Sequence, residues 1–179
     1  MNIFARKGFT LVELLVVIAI IAILAAVVVL IINPLELTRR GRDAARLSDL
    51  GSLQTAINVA VQESTGSGTA AILCKISGSY PCSGSSNTGT RNSDGSGWVK
   101  TDLSSQKSVS MATLPTDPIN DTKFHYTYCA NNDAWEINTV LESDLQKAKM
   151  GTDGGNEENR YEVGSNLTLI AASGGSCSY

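Results

Sequence analysis

The chain has 179 residues, 17% of them charged and 42% hydrophobic, with 14 basic against 17 acidic side chains and a net charge of -3. That length holds one extended apolar element and one further domain of ordinary size. With an isoelectric point near 5.1, the chain has no general attraction for nucleic acid, which is not expected as a partner.

The first element is apolar. Leu14 to Ile32 is an unbroken run of apolar residues, close to the ~20 that a helix needs to cross a bilayer core. A secretory signal fits less well, because its apolar core is shorter and a small-residue cleavage site follows it, whereas here the run is followed by Asn33-Pro34-Leu35-Glu36. The segment is therefore expected to stay in the mature chain and to contact membrane lipid. One carboxylate, Glu13, lies at its start; interfacial acids are tolerated and deeper ones need a partner.

Beyond Pro34, Leu47, Leu50, Leu53, Ile57 and Val61 recur at spacings of three and four, the apolar stripe of an amphipathic helix. Residues 9 to about 62 are read as one long helix with a seam or kink at Pro34 and a looser turn at Gly41. Residues 64–105, rich in Ser, Gly, Thr and Asn, are read as mostly loop. Next, Phe124, Tyr126 and Tyr128 alternate, as do Trp135, Ile137 and Leu141, with Asn131-Asn132-Asp133 between the two groups; this is an antiparallel hairpin. "RYEVGSNLTLIAA" adds one or two short strands. The expected fold is α+β, a long N-terminal helix whose second half packs on a small antiparallel sheet.

All four cysteines, Cys74, Cys82, Cys129 and Cys177, follow the apolar segment and contain no C-x-x-C pair, so disulfides in an oxidising compartment are expected. Three pairings are possible; Cys74 with Cys82 plus Cys129 with Cys177 is favoured, because the first pair closes a short Gly/Pro loop. His125 is the one histidine, on an expected strand, and no nucleophile elbow, phosphate loop, dinucleotide fingerprint or zinc-protease motif is present, so no enzyme and no catalytic residue are expected.

The stretch "KGFTLVE", Lys7 to Glu13, resembles the processing site of type IV prepilins and type II secretion pseudopilins: a short basic leader, a Gly, a Phe, and a Glu at the fifth position after the Gly. The resemblance implies that a prepilin peptidase cuts between Gly8 and Phe9 and that the Phe9 amine is then N-methylated. It implies a leader at 1–8, a membrane and filament-core helix at 9–33, and an extracytoplasmic pilin-like domain at 34–179. Glu13 becomes an assembly residue whose carboxylate pairs with the Phe9 amine of a neighbouring subunit. Implied partners are other pilin or pseudopilin subunits, the peptidase and an inner-membrane assembly platform. The implied location is the bacterial cytoplasmic membrane, crossed once, and a periplasmic or extracellular filament after assembly.

"GSYP" at Gly78 to Pro81, "LPTDP" at Leu114 to Pro118 and "VLES" at Val140 to Ser143 are similar to stretches of major pseudopilins, which favours a secretion pseudopilus over a surface pilus. Residues 83–97 depart from that pattern as an insertion. Some major pseudopilins bind calcium in C-terminal loops. The corresponding candidates are Asp117, Asn120, Asp121 and Asp133, with Asp153, Asn156, Glu157 and Glu158 as a second oxygen-rich set, and neither has EF-hand spacing; no other cofactor is expected. Arg39, Arg40, Arg42 and Arg46 follow the apolar segment and oppose the positive-inside rule; the motif and the cysteines outweigh that count, and the arginines are read as contacts between subunits. The alternative is a membrane-anchored extracytoplasmic binding domain that does not polymerise, with Glu13 merely interfacial.

Overall fold

The computed structural model describes residues 8–64, 69–108, 110–171 and 175–179. Leader positions 1–7, with Arg6 and Lys7, lie outside the described residues. The chain divides into two compact units between Thr38 and Arg39.

The first unit is dominated by helix α1, Leu11–Ile32. No glycine or proline interrupts it, and Leu11–Val29 is long and apolar enough to cross a membrane with none of it buried. The expected seam at Pro34 falls one residue earlier: Asn33 takes the left-handed conformation (φ 41°, ψ 81°) and caps α1. Asparagine tolerates this region better than most residues. Pro34 then opens helix α2, Pro34–Glu63, at the first-turn position where its missing N–H is harmless. Gly41 lies within α2 and does not interrupt it.

In the second unit, α2 supplies one wall of the core. Leu50, Leu53, Ile57, Ala56 and Ala60 are fully buried and Val61 packs against them, but Leu47 is only half-buried. One turn earlier the stripe turns polar, with Asp43 and Arg46 fully buried.

A four-stranded antiparallel sheet follows in the order β1-β2-β3-β4, formed by Cys82–Ser85, Thr127–Asn131, Ala134–Thr139 and Tyr161–Gly164. The hairpin between β2 and β3 pairs Asn131 with Ala134. Its two loop residues, Asn132 (φ 48°) and Asp133 (φ 67°), both have positive φ, the requirement of a type I′ turn. Tyr126, Tyr128, Trp135 and Ile137 join the α2 stripe in one hydrophobic cluster. Leu141 is buried beyond the end of β3. His125 precedes β2 rather than lying in a strand.

Residues 64–105 contribute more than a loop. They form helix α3, Thr69–Leu73, and strand β1, and they send Ile72, Leu73, Trp98, Val99 and Leu103 into the same core. Trp98 stacks at a tilt on Tyr126, ring centres 5.8 Å apart, and its indole N–H donates to the Pro115 carbonyl at 3.0 Å. Gly84 faces the Trp98 backbone so closely that a Cβ would collide with it. Gly84 is thus required by the close approach of two backbone segments at Trp98. Disulfides join Cys74 to Cys82 and Cys129 to Cys177.

Of the four arginines expected to contact other subunits, Arg42 and Arg46 are engaged internally, while Arg40 is exposed and Arg39 partly so. Arg46 is fully buried: its guanidinium makes a two-pronged pair with Asp117 (Nε–Oδ2 2.6 Å, Nη2–Oδ1 2.9 Å) and bridges Asp43 (2.8 Å) and Glu142 (2.6 Å) through Nη1. Arg42 forks onto Glu142 at 2.8 and 2.6 Å. The fully buried Arg46 guanidinium has no surface to offer a neighbour, whereas the Arg42 side chain keeps part of its surface exposed. Burial opposes the Arg46 charge, yet hydrogen bonds to Asp117, Glu142 and Asp43 more than offset this and raise its pKa.

Removing Arg46 would leave three buried or nearly buried carboxylates facing one another, the situation in which breaking one partner of an ion pair costs about 3–5 kcal/mol. Arg46→Met is expected to lower unfolding free energy by about that amount, read by denaturant unfolding of the full chain in detergent micelles. Glu142 is held down from 4.5 to about 2 by the Arg42 hydrogen bond and then by Arg46. A depressed carboxylate stabilises the fold above its unfolded pKa and loses that contribution as pH falls through the folded one. The Glu142 contribution, roughly 3 kcal/mol, should therefore vanish between about pH 4.5 and pH 2. Thermal melts across that range should show a shallower acid decline for Glu142→Gln than for the wild type.

Candidate functional site: the N-terminal processing and assembly segment

Gly8, Phe9 and Thr10 are exposed and precede the helix. The Gly8–Phe9 peptide bond thus lies in non-helical chain, the form a peptidase can draw into a cleft, and nothing lies within 4 Å of where a Gly8 side chain would project. Thr10 is the N-cap of α1, with extended φ -86° and ψ 150°. Its hydroxyl accepts from the Glu13 N–H at 3.3 Å, while the Glu13 Oε2 accepts from the Thr10 N–H at 2.8 Å and from the Thr10 hydroxyl at 2.7 Å.

This reciprocal arrangement is a capping box. Glu13 therefore has a role within its own chain, closing orphan donors at a helix start whose dipole favours negative charge. Thr10 is the functional residue that the sequence reading passes over, although Thr-x-x-Glu before an apolar run is itself a helix-start signature. After a cut at Gly8, the new Phe9 amine would stand four residues before Glu13, one helical turn away. Around these residues Phe9, Leu11, Val12, Leu14 and Leu15 are all more than half exposed, an apolar surface open along its length.

The calcium candidates are not brought together as a set. Asp117 is taken by Arg46 and also accepts from the Ile119 N–H at 2.8 Å. Asn120 (φ 55°) exchanges hydrogen bonds with Ser86. Asp121 Oδ1 caps the Lys123 and Phe124 N–H groups, and Asp133 occupies the β2–β3 turn. In the second set, Asp153 accepts from the Gly155 and Glu162 N–H groups, Glu157 is buried, and Asn156 and Glu158 are exposed. Among the described residues no group of three or more His, Cys, Asp or Glu side chains is placed to hold a metal ion. His125 shares a hydrogen bond through Nδ1 with the Asp121 carbonyl (3.1 Å), and burial lowers its pKa.

Losing the Thr10 hydroxyl should fray the first turn of α1. Thr10→Ala is expected to cost about 1 kcal/mol, seen as faster amide exchange at Leu11, Val12 and Glu13 in micelles, with the rest of α1 unchanged.

No curated protein and no solved structure matches the chain. Residues 3–29 match the family model of the prokaryotic N-terminal methylation motif, and that stretch contains the capping box, the Gly8–Phe9 bond and most of α1. The chain thus carries, at its N-terminus, the prepilin-type cleavage and methylation motif.

Proposed function

We propose that this chain is a structural subunit of a type II secretion pseudopilus or a type IV pilus. It is cut after Gly8, N-methylated on Phe9, anchored in the cytoplasmic membrane by residues 9–33 with residues 34–179 on the extracytoplasmic side, and drawn into a filament through α1. The observation that carries this reading is a wholly exposed apolar helix with a single carboxylate one turn from the scissile bond, inside the matched motif. Its work is assembly rather than catalysis.

Two further features support it. Paired disulfides suit an oxidising compartment. Arg42 and Arg46 have partners within the fold, which accounts for their presence whatever side the body occupies and weakens the positive-inside objection. A secretion pseudopilus is favoured within the class, because Asp117 of "LPTDP" and Glu142 of "VLES" converge on the same Arg46, so the two stretches similar to pseudopilins form one structural unit.

Mass spectrometry of protein from the native membrane or filament fraction should find a chain beginning at N-methylated Phe9. Glu13→Gln should leave membrane insertion unchanged and reduce filament yield at least tenfold, as expected when a charge partner is removed from an apolar bundle. An intact Met1 in cells with an active prepilin peptidase, or unaltered assembly by the variant, would instead support an anchored domain that does not polymerise.

A further inference from the structure

The two faces of the sheet are built differently. Tyr128, Ile137 and Val163 lie opposite one another across β2, β3 and β4 and point into the main hydrophobic cluster. On the other face the matching row is Thr127, Asn138 and Glu162, with Glu136 two residues from Asn138 on the same face. These four are also buried. Cys129, Leu169 and Ile170, joined by Ala134 and Cys177, form a second, smaller cluster by which the C-terminal segment covers this face.

Glu136 and Glu162 each use one oxygen to hold a covering segment. Glu136 Oε2 accepts from the N–H groups of Leu169 (2.8 Å) and Ile170 (3.0 Å), and Glu162 Oε2 accepts from the Glu157 N–H (3.0 Å). The remaining oxygen of each, Oε1, is buried without a hydrogen-bond partner, although the two acids stand at diagonal positions of adjacent strands on one face, within reach for side chains of this length, and the Glu162 carboxyl acts on Glu136. Carboxylate oxygens only accept, so two of them in contact cannot satisfy one another; a carboxyl O–H can donate to a carboxylate.

Two donors on the same face, Asn138 Nδ2 and Thr127 Oγ1, are likewise buried without a hydrogen-bond partner, and neither is bonded to the pair. Glu157 and Asp153 are themselves acids, with oxygens on the Asn159 N–H and on the Glu162 and Gly155 N–H groups. Arg160 directs Nη1 to the Asn138 Oδ1 at 3.4 Å and acts on Glu162 and Glu157 through its charge rather than through a hydrogen bond. Cys129 on β2 is in a disulfide, and Leu169 and Ile170 bring no charge. His125 lies beyond, within the field of Arg160.

We propose that Glu136 and Glu162 hold one proton between their Oε1 atoms, and that this shared proton is a pH-sensitive latch keeping the C-terminal segment on the sheet. With it in place, one carboxyl donates to the other and both Oε2 atoms keep their backbone partners. When the proton leaves to solvent at alkaline pH, two adjacent anions remain in a buried site. Relieving their repulsion moves one carboxylate outward, and with it the backbone it holds: Leu169–Ile170 through Glu136, or Glu157 through Glu162. The Cys129–Cys177 disulfide tethers the far end, so the segment loosens without departing.

The direction of titration agrees with this geometry. Burial, and then the neighbouring Glu162 carboxyl, push Glu136 up from 4.5 to about 8. A carboxyl raised in the fold contributes stability below its unfolded pKa and loses it as pH rises through the folded value. The latch is thus complete in mild acid and open above about pH 8.

The test is amide exchange on the full chain in micelles, as protection factors corrected for intrinsic rates, at about pH 6 and about pH 9, on either side of the Glu136 value. Protection at Leu169 and Ile170 should fall at least about tenfold, the effect of one pKa unit of linkage, while β2 and β3 hold theirs. Glu136→Gln, whose amide donates permanently where the proton did, should show equal protection at both pH values. Should that variant fail to fold, Glu162→Gln is expected to behave in the same way. An infrared band of a protonated carboxyl at neutral pH should be present in the wild type and absent in the variant. Wild-type protection that does not change with pH, or that changes equally in the variants, would overturn the proposal. So would restoration at about pH 9 by added calcium or sodium ions, which would put a cation between the two oxygens.

Discussion

Arg46 is the interaction on which the second unit depends. Taking a guanidinium out of water costs several kcal/mol even after relaxation, and the structure offsets this by giving the rigid fork partners from three places in the chain. Asp43 is one turn back on α2, Asp117 belongs to the segment before β2, and Glu142 follows β3. Asp43 also accepts from the Glu142 and Ser143 N–H groups at 2.7 to 3.1 Å. The chain leaving β3 is therefore held to α2 by side chain and backbone together. With Arg42 the cluster has two positive charges against three negative, both arginines being forked onto carboxylates, the geometry that suits guanidinium best.

Against that arrangement, the polar face of the sheet looks unfinished. Both sites bury several charges, but in the Arg46 cluster every acid is hydrogen-bonded to a cation, whereas Glu136 and Glu162 have no such bond: Arg160 donates to Asn138 and reaches Glu162 only through its field. The difference is not one of burial alone, because Arg46, Asp43 and Glu136 are all fully buried. Placing two acids on neighbouring antiparallel strands, at diagonal positions on one face, sets them within contact of each other. The fold has thus made one ionic cluster that is insensitive near neutral pH and one pair whose state depends on a proton.

Much of the architecture was legible because it rests on periodicity. The apolar run, the α2 stripe from Leu50 to Val61 and the alternation around Tyr126 and Trp135 each follow the spacing of their secondary structure. The two turn residues Asn132 and Asp133 tolerate the backbone they occupy, so the hairpin could be read locally. Strand β1 and helix α3 could not, because Cys82–Ser85 has no apolar alternation and owes its strand to pairing with β2 and to the Cys74 disulfide. Arg46 was misread for a similar reason: a charged residue on a helix signals solvent unless its partners are known, and two of the three are 71 and 96 residues distant in sequence. At the N-terminus the motif was legible in full, yet Glu13 drew attention to assembly and away from Thr10.

The cap that Glu13 makes within its own chain is compatible, on chemical grounds, with the assembly role proposed for it. Both Thr10 bonds end on Oε2, so among the described residues Oε1 takes no part in the cap. An ionised carboxylate has about four lone-pair sites, and a capping box uses only some of them. Cleavage at Gly8 would place an ammonium beside a helix N-terminus, whose dipole disfavours positive charge. A neighbouring carboxylate already fixed in orientation by its own cap would meet that amine without losing much side-chain freedom on pairing. Under the proposed function, the threonine of the motif would be a positioning residue, holding the carboxylate for assembly by the same bonds that start the helix.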